Sequence, residues 1–427
     1  MPENQDPTPD GDAAAHAMVT GRRGAMTGSS LLTLGAAIAA VPLAAKLANE
    51  AIAPAAAQGA APEILRMDGK APLVVLGERP LVAETPEALL DDAVTPTEKM
   101  FIRMNGRIPD PVADPAAWRF KIEGEVNTPL ELSVAELRAR FPVVTLQLQM
   151  ECGGNGRAQF QPPTRGNQWT NGAISNAEWT GVRLRDVLNA AGLKPTAAFT
   201  GHAGADPHLS GEPGRLSISR GMPIAKAMDE TTLLAFGMNG GAIPNIHGAP
   251  LRMIVPGWPG SLSQKWLTSV LVRATPHDGP GMGGTSYRMP VRPIVPGSEN
   301  NGRDFADMTS MPVRSVLTNV AHGTRLPAGT REIDLRGAAW AGDDTVSAVH
   351  VSVDYGASWQ PMQVAAPANR HAWQRWTGKA RLPADGYYEI WYRATDDKGR
   401  MQPHAAANWN PQGYGANAIT RVAVLVG

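Results

Sequence analysis

The sequence predicts an α+β domain followed by an all-β sandwich of the immunoglobulin type. Glycine and proline are frequent, at 45 and 37 of 427 residues, while charged residues make up only 18%. This composition favours short strands joined by many turns over helical bundles. From about residue 308 onward, short runs of alternating apolar and polar residues are separated by turn residues, which is the pattern of a two-layer sandwich.

The charge balance and the length limit the possible classes of protein. The 39 Lys and Arg residues are balanced by 39 Asp and Glu residues, so the sequence shows no electrostatic footprint for nucleic acid or an anionic membrane. A chain of this length holds two domains or three. There are 11 tryptophans beside six tyrosines. Because a buried indole N–H needs a partner, we expect several tryptophans to line a pocket or an interface.

The first part of the chain predicts an export signal. Polar residues lead to Arg22 and Arg23, an uncharged run extends from Gly24 to Ala45, and small residues stand at Ala55 and Ala57. This order matches the layout of a signal peptide, and the paired arginines indicate the twin-arginine route. A transmembrane anchor is the alternative, but the Ala- and Gly-rich run is only moderately hydrophobic. We therefore expect a periplasmic protein, exported folded and commonly with a cofactor already inserted.

The next segment predicts short strands and two short helices. Strands are expected at apolar or alternating runs, namely Leu73–Leu76, Trp118–Ile122, Val143–Met150 and, with a tight turn, Leu233–Gly241. Ser133 followed by Glu136 forms a capping box, which predicts the start of a helix. The amphipathic run Leu184–Ala191 predicts a second helix, and Gly192 ends it.

The last third of the chain predicts the sandwich. A Gly- and Pro-rich connection covers residues 275–305, and alternating strands follow it at Ile333–Gly337, Val349–Val353, Tyr387–Arg393 and Ile419–Val426. We place the domain boundary near residue 308. The resulting division is an export signal over residues 1–57, a catalytic domain over 58–307 and a sandwich domain over 308–427.

The segment Glu151–Arg157 contains the only cysteine of the chain, Cys152, in a glycine-rich turn directly after the predicted strand. A lone thiol cannot form a disulfide within its own chain, so its special uses are as a nucleophile, a redox group or a metal ligand. A small buried apolar thiol is the alternative. The neighbouring glycines allow the backbone to fold tightly around a bound group, which favours a functional role.

A second group of residues suggests an anion site about a hundred residues later. Arg252, Ser261 and Lys265 stand beside glycines in Gly/Pro-rich loops. Backbone N–H groups can approach a phosphate closely at glycines, and the two cations would neutralise it. Solvated surface charges are the alternative interpretation of these basic residues.

Several separated segments together resemble the sulfite oxidase family of molybdenum enzymes. They occur in the family's order and at approximately its spacing: Phe101–Asn105, Glu151–Arg157, Trp169–Ser175, Leu233–Gly240, His247–Arg252 and Lys265–Trp266. The later segment Met401–Asn410 resembles the family's sandwich domain, whose usual role is dimerisation. The resemblance covers roughly residues 70–427. It implies a molybdopterin-binding domain followed by the predicted immunoglobulin-like sandwich.

The resemblance implies a molybdenum–molybdopterin cofactor with Cys152 as the protein's ligand to molybdenum, a soft ligand on a redox metal. The residues that it implies for cofactor binding are Phe101, Ile102, Arg103, Met104, Asn105, Cys152, His202, His247, Arg252, Ser261, Ser263, Gln264 and Lys265. Met104 and Asn105 stand where many members have Asn-His. No haem is expected in this chain, because a Cys-x-x-Cys-His attachment motif needs two cysteines.

The resemblance also implies a substrate pocket at the metal. Arg103, Arg157, Trp169 and Tyr287 match residues around the family's oxyanion pocket, where they would bind sulfur-bound oxygen or pass a proton. Gln412 stands where sulfite-oxidising members usually carry a further Arg. Losing that cation should weaken the binding of a small dianion and leave room for a bulkier, protein-borne sulfur group.

These features together resemble the molybdenum subunits of Sox sulfane dehydrogenases. The resemblance implies that the chain oxidises cysteine-bound persulfide sulfur on a carrier protein during thiosulfate oxidation. Oxygen would come from water and electrons would pass to a c-type cytochrome subunit. It also implies a homodimer through the C-terminal domain, within a heterotetramer, and no nucleic-acid partner.

Other functions stay open at this point. A periplasmic sulfite dehydrogenase, which oxidises sulfite to sulfate, is the nearest alternative. A sulfoxide reductase on the same fold would run the chemistry in reverse. A cysteine hydrolase would use Cys152 with His202 or His247 as its base and would need no metal. An exported binding protein without catalytic activity would leave the thiol-containing turn unexplained.

Overall fold

The computed structural model describes residues 62–298 and 302–427. The predicted export signal lies outside these residues. The described residues form 23 strands and three short α-helices. None of the helices in these two ranges has the length and hydropathy that crossing a bilayer requires.

The elements are numbered here in chain order. The strands are β1 (Val74–Glu78), β2 (Leu81–Glu84), β3 (Ile102–Arg103), β4 (Arg119–Gly124), β5 (Leu130–Ser133), β6 (Val143–Glu151), β7 (Ile174–Arg183), β8 (Phe199–Gly204), β9 (Gly221–Pro223), β10 (Leu233–Met238), β11 (Gly241–Ala242), β12 (Arg252–Ile254), β13 (Leu267–Arg273), β14 (Arg288–Pro290), β15 (Phe305–Asp307), β16 (Arg314–Leu317), β17 (Thr324–Leu326), β18 (Glu332–Trp340), β19 (Val346–Ser352), β20 (Gln360–Val364), β21 (Gln374–Arg381), β22 (Gly386–Asp396) and β23 (Thr420–Val426). The helices are α1 (Val134–Arg140), α2 (Leu184–Ala191) and α3 (Ile224–Ala227). Single turns of 3-10 helix occur at Glu87–Leu89, Thr97–Lys99, Pro115–Ala117, Arg157–Gln159, Asn245–His247 and Gly260–Leu262.

Before the sandwich, the described chain forms three sheets and an antiparallel pair of short strands, β14 and β15. One has the order β5-β4-β13-β8-β9, and β13 pairs with β4 in parallel. A second has the order β11-β10-β7-β6, with β12 also pairing with β10, and a small sheet contains β1, β2 and β3. Apolar residues of the two larger sheets and of α1 and α2, such as Phe120, Leu137, Val187, Leu234 and Val270, form one buried core. Because the core fixes both sheets, the loops at their edges have a rigid support.

The last third forms the predicted β-sandwich. Its strands have the order β16-β18-β21-β20-β19-β22-β23-β17, and β20 pairs with both β21 and β19, which joins the two layers. The buried rings of Trp376 and Tyr392 lie between the layers, with centroids 6.4 Å apart. This arrangement confirms the all-β prediction for the C-terminal part.

Local sequence chemistry accounts for the helix limits. The Ser133 hydroxyl accepts a hydrogen bond from the Glu136 amide at 3.1 Å, and the Glu136 carboxylate accepts one from the Ser133 amide at 2.7 Å. This capping box begins α1 as predicted. Helix α2 ends before Gly192, whose φ of 71° is in the left-handed region that favours glycine. The predicted helices and strands are therefore confirmed, with shifts of a few residues at strand ends.

A buried ion pair joins the Cys152 strand to the sandwich. Arg314, the first residue of β16, lies with its Nε 3.4 Å from Oε1 of Glu151, the last residue of β6, and both residues are 2% exposed. The carboxylate also accepts hydrogen bonds from Trp340 Nε1 at 2.8 Å and from Asn155 Nδ2 at 2.9 Å. Arg314 in turn donates to Asn171 Oδ1 at 2.6 Å. Arg314 Nε itself makes no hydrogen bond among the described residues, but the other hydrogen bonds of the two side chains offset much of the cost of burying their charges.

We expect Arg314→Ala to lower the free energy of unfolding by about 3–5 kcal/mol, because the change leaves the buried Glu151 carboxylate without its cation. The urea midpoint of the purified protein measures this change. Arg331→Ala is the matched control, since Arg331 pairs with Asp385 at 2.6 Å on the exposed surface and should cost less than about 1 kcal/mol. Equal losses in the two variants would show that the buried pair does not stabilise the fold.

Candidate active site

The candidate site is a cleft of about 640 Å³, its open mouth included. Twelve residues that the sequence selects line this cleft together: Phe101, Arg103, Met104, Asn105, Cys152, His247, Arg252, Ser261, Ser263, Gln264, Lys265 and Tyr287. They come from segments that are far apart in the chain. The sheets therefore bring the predicted cofactor residues to one place.

The thiol of Cys152 reaches the cleft because β6 ends one residue before it. Strand β6 pairs with β7 along its whole length, which fixes the direction in which the chain leaves the sheet. The Cys152 amide donates to Ala173 O at 2.9 Å, and the Asn155 amide donates to Cys152 O at 2.9 Å, which closes the turn. The cysteine is half-buried and unpaired. The predicted metal ligand is thus held by backbone hydrogen bonds and faces a cavity.

Positive charge is concentrated at the inner part of the cleft. Burial lowers the pKa of Arg252 to about 9, and burial together with Arg252 lowers the pKa of Lys265 well below its usual value. Lys265 Nζ donates to Ile246 O at 2.8 Å, and Arg252 donates to His247 O at 2.8 Å. The carboxylate of Asp206 is the acid that lines the same cleft. The remaining positive charge makes the inner cleft suitable for an anion such as a phosphate.

Lys70 supports this cluster from outside the cleft lining. Its ammonium group donates to Thr97 O at 2.9 Å and Met100 O at 2.7 Å and lies 3.0 Å from Nε2 of His247. An ammonium group only donates, so Nε2 of His247 must accept and the ring carries its proton on Nδ1. Burial and Lys70 both lower the pKa of His247 well below its usual value. The imidazole is therefore a neutral hydrogen-bond donor.

Several buried polar atoms of the cleft have no protein partner. Among the described residues, Arg252 Nε, Ser261 Oγ and Gln264 Oε1 make no hydrogen bond although they are buried. Buried groups without a partner are rare because each one costs free energy. Donors and acceptors of both kinds, beside an excess of cations, fit a group that has a phosphate and a polar ring system, as molybdopterin does. The residues present therefore fit the cofactor that the sequence predicts.

One glycine is required by the approach of Lys265. Gly248 has a φ of 102°, and a Cβ at this position would lie 2.7 Å from Cβ of Lys265. A larger residue would both strain the backbone and push Lys265 away from the cleft. This contact explains why the predicted motif has a glycine at position 248.

Arg103 and Tyr287 line the cleft, whereas Arg157 and Gln412 do not. Arg157 donates from Nε to Gln412 O at 2.9 Å and from another nitrogen to Asn167 O at 2.8 Å. The Gln412 side chain donates to Thr285 Oγ1 at 3.2 Å. Backbone carbonyls thus hold Arg157 in place. Of the two arginines assigned to the oxyanion pocket, Arg103 is the one that borders the cavity.

Three other selected residues lie behind the cleft wall. Trp169 is completely buried, contacts the Phe101 ring edge-on at 6.0 Å between centroids, and its Nε1 has no partner among the described residues. Ile102 is completely buried in a separate apolar cluster. His202 is buried in β8, with Nε2 2.9 Å from Thr200 Oγ1. Their assignments as site residues remain predictions.

The structure also brings residues to the site that the sequence did not single out. Asp206 lines the cleft from the loop after β8, where a Gly-Ala-Asp-Pro run is the only local signal. Lys70 is 177 residues away from His247 in the chain, so no local pattern connects them. Arg220 and Tyr414 lie against Tyr287. Contacts across such distances depend on the fold and cannot be read from spacing.

The residue types around Cys152 do not form a protein-only metal site. In the described part of the chain, no three His, Cys, Asp or Glu residues are close enough to hold an ion together. A metal at Cys152 would therefore take its other ligands from the cofactor. For the cysteine hydrolase alternative, His247 is the candidate base that lines the cleft with Cys152, and its Nε2 is occupied by Lys70. This contact disfavours His247 as a base for the thiol.

Comparison with known proteins identifies the family. A model described as oxidoreductase molybdopterin binding domain matches residues 105–280, and one described as Mo-co oxidoreductase dimerisation domain matches residues 306–427. The sulfite oxidase of Gallus gallus is 34% identical over 361 residues, which cover 82% of this chain and 77% of the relative. The mitochondrial sulfite oxidase of Homo sapiens is 34% identical over 377 residues, covering 83% of this chain and 66% of the relative.

This chain belongs to the sulfite oxidase family. The crystal structure of the sulfane dehydrogenase SoxCD from Paracoccus pantotrophus matches with a TM-score of 0.66 at 24% identity, covering 86% of this chain and 91% of that chain. The match confirms the fold of a sulfite oxidase family member, with a molybdopterin-binding domain followed by a β-sandwich. The chain is accordingly a molybdopterin oxidoreductase of the sulfite oxidase family.

We expect anions to bind this cleft more weakly above about pH 6. Burial raises the pKa of Asp206 to about 6, so this carboxyl is neutral in acid and becomes negative as the pH rises through that value. Sulfate stays a dianion throughout, so its affinity for the cofactor-free protein should fall on the order of three- to tenfold between about pH 5 and about pH 7. Titration followed by tryptophan fluorescence measures this affinity. Asp206→Asn should abolish the decline, and an unchanged decline in that variant would contradict the assignment.

Proposed function

We propose that this chain is the molybdenum subunit of an exported sulfane dehydrogenase, which oxidises sulfur bound to a cysteine of a carrier protein. The observation that carries the proposal is that neither Arg157 nor residue 412 supplies a cation to the lining of the cleft. Gln412 occupies the position of an expected arginine and turns to Thr285, and Arg157 is held by backbone carbonyls. Of the two arginines assigned to the oxyanion pocket, Arg103 then remains in the cleft lining. A site of this kind is less suited to a small dianion than to a larger group of lower charge.

The cofactor would be held by residues of the inner cleft. His247, Arg252 and Lys265 would bind the phosphate, Ser263 and Gln264 would bind the pterin, and Cys152 would ligate molybdenum through its thiolate. When bound, molybdenum–molybdopterin supplies redox and oxygen-transfer chemistry. The protein's part is to fix the thiolate at the end of β6 and to exclude water from the inner cleft.

The chain's own residues would position the substrate sulfur at the mouth. Arg103 would hold the negative charge of a persulfide or of its oxidised product, because the guanidinium borders the cavity. The Tyr287 hydroxyl would donate a hydrogen bond to sulfur-bound oxygen and pass a proton to solvent. Each oxygen atom that enters from water releases two protons and two electrons, so a proton path and an electron acceptor are both required. A c-type cytochrome subunit is the proposed acceptor.

The proposed setting follows from the expectations for the whole chain. Arg22 and Arg23 support export to the periplasm by the twin-arginine route. The match to the Mo-co oxidoreductase dimerisation domain supports a homodimer through residues 306–427. The resemblance of the sequence motifs to Sox sulfane dehydrogenases implies a complex with a c-type cytochrome partner. We propose a heterotetramer of two molybdenum subunits and two cytochrome subunits.

A sulfite dehydrogenase is the second candidate. The observation in its favour is the 34% identity to the sulfite oxidase of Gallus gallus over 82% of this chain. Both candidates share the cofactor, the thiolate ligand and the acceptor, so they differ only at the mouth of the cleft. The two experiments below separate the shared chemistry from the choice of substrate.

The first experiment tests the metal site. We expect the purified protein to contain molybdenum and Cys152→Ser to lose turnover by at least about a hundredfold, because a serine oxygen is a harder ligand for the redox metal. Elemental analysis and cytochrome c reduction with sulfur substrates measure both properties. Met401→Ser on the exposed sandwich surface is the control that should keep metal and turnover. Wild-type protein without molybdenum, or Cys152→Ser with full turnover, would refute the proposal.

The second experiment tests the substrate. Gln412→Arg should lower the KM for free sulfite by about tenfold, since it restores a cation where a dianion would bind. Steady-state kinetics with sulfite and cytochrome c measure the change. Gln412→Met, which removes the amide without adding charge, should not lower KM. Rapid turnover of free sulfite by the wild-type protein, without a carrier, would favour the sulfite dehydrogenase instead.

A further inference from the structure

The backbone of Tyr287 has an unusual conformation. Its φ is 50°, in the left-handed region that non-glycine residues rarely adopt. Tyr287 follows the glycine-rich segment 281–284 and borders the cleft. A strained residue persists only where its surroundings hold it in place, and such residues cluster at functional sites. The contacts of its ring are therefore informative.

Tyr414 covers one face of the Tyr287 ring. The two rings are stacked, with centroids 4.9 Å apart and planes 16° apart. Asn410 fixes Tyr414 in turn, since its side chain donates to Tyr414 O at 2.9 Å and accepts from the Tyr414 amide at 3.0 Å. The next amide, that of Gly415, donates to Gly153 O at 3.1 Å. Tyr414 is thus tied to the turn that carries the thiol.

Arg220 also packs against the Tyr287 ring. Its guanidinium carbon lies 4.4 Å from the ring centroid. Arg220 is 3% exposed and donates to Gly281 O and to Met282 Sδ, in the segment that leads to Tyr287. Its Nε makes no hydrogen bond among the described residues. Arg220 therefore holds Tyr287 both through the contact with its ring and through the hydrogen bonds to the preceding segment.

A second guanidinium extends the stack. The guanidinium carbon of Arg157 lies 5.6 Å from the centroid of the Tyr414 ring. The order is therefore Arg157, Tyr414, Tyr287 and Arg220, in which each ring has a cation within cation–π distance. The stack connects an arginine of the predicted oxyanion pocket to the tyrosine at the cleft mouth. A change in Tyr414 should therefore be felt at Tyr287.

We propose that Tyr414 and Arg220 are positioning residues. They hold the Tyr287 hydroxyl at the mouth of the cleft, in a fixed position relative to the Cys152 turn. The proposal rests on the proposed function only for its kinetic consequence, because the geometry of the stack exists without substrate. Neither residue touches the reacting atoms in this scheme. Both act through Tyr287.

The structural test uses fluorine NMR of the complete protein as isolated, labelled with 3-fluorotyrosine at its six tyrosines. Loss of one resonance in Tyr287→Phe assigns Tyr287. We expect that resonance to move toward the shift of free 3-fluorotyrosine in Tyr414→Leu, and to stay near its original position in Tyr414→Phe, which keeps the stacked ring. Arg220→Met should move it as well. An unchanged Tyr287 resonance in both Tyr414→Leu and Arg220→Met would overturn the proposal.

The kinetic test uses a double-mutant cycle. Tyr414→Leu should lower kcat about tenfold or more with less than about a twofold change in KM, and Tyr414→Phe should recover most of the loss. In a Tyr287→Phe background, Tyr414→Leu should cause no further loss, because the hydroxyl that it positions is gone. Equal losses in both backgrounds would overturn the positioning role. If the wild-type protein has no molybdenum or turnover, the proposed function fails, whereas the fluorine resonances still decide the positioning.

Discussion

The buried pair of Glu151 and Arg314 is the interaction on which the active-site architecture depends. Glu151 ends β6 and directly precedes Cys152, whereas Arg314 begins the sandwich. Burial raises the pKa of Glu151, and the nearby Arg314 opposes this shift, so the carboxylate needs both the cation and its hydrogen bonds from Trp340 and Asn155. The position of the thiol is therefore set by both parts of the chain. The sandwich is a structural component of the cleft as well as a candidate dimerisation surface.

In the inner cleft, unlike at the Glu151–Arg314 pair, the positive charges are not balanced by opposite charges. Arg252, Lys265 and the neutral His247 are buried close together, and their pKa values are lowered mainly because burial disfavours their charged forms. Such a cluster destabilises the cofactor-free fold, whereas an anion would satisfy its charges and its unpartnered atoms. The pair at Glu151 is internally compensated, and the cleft is not. The ion pair is therefore structural, whereas the uncompensated cleft is suited to binding a ligand.

The parts of this structure that depend on neighbouring residues could be predicted from sequence. The capping box at Ser133, helix α2 with Gly192, and strand β6 with the Cys152 turn all follow from local chemistry. The family motifs added the cofactor residues, because their order and spacing are characteristic. Lys70 and Arg220 could not be found, since they reach the site through contacts between distant segments. The sequence also selects Arg157 and Gln412 without showing that neither residue lines the cavity.

The orientation of Arg157 follows from three glycines. A Cβ at Gly154, Gly166 or Gly413 would lie within 2.9 Å of the Arg157 side chain, so these positions form a notch that only glycine leaves open. In this notch Arg157 bonds to backbone carbonyls and extends the aromatic stack toward Tyr287. The charge at the cleft mouth is thus controlled by loop backbone as much as by residue identity. The proposed choice of substrate therefore depends on the loop around residue 412, whereas the metal-binding turn is common to both candidate functions.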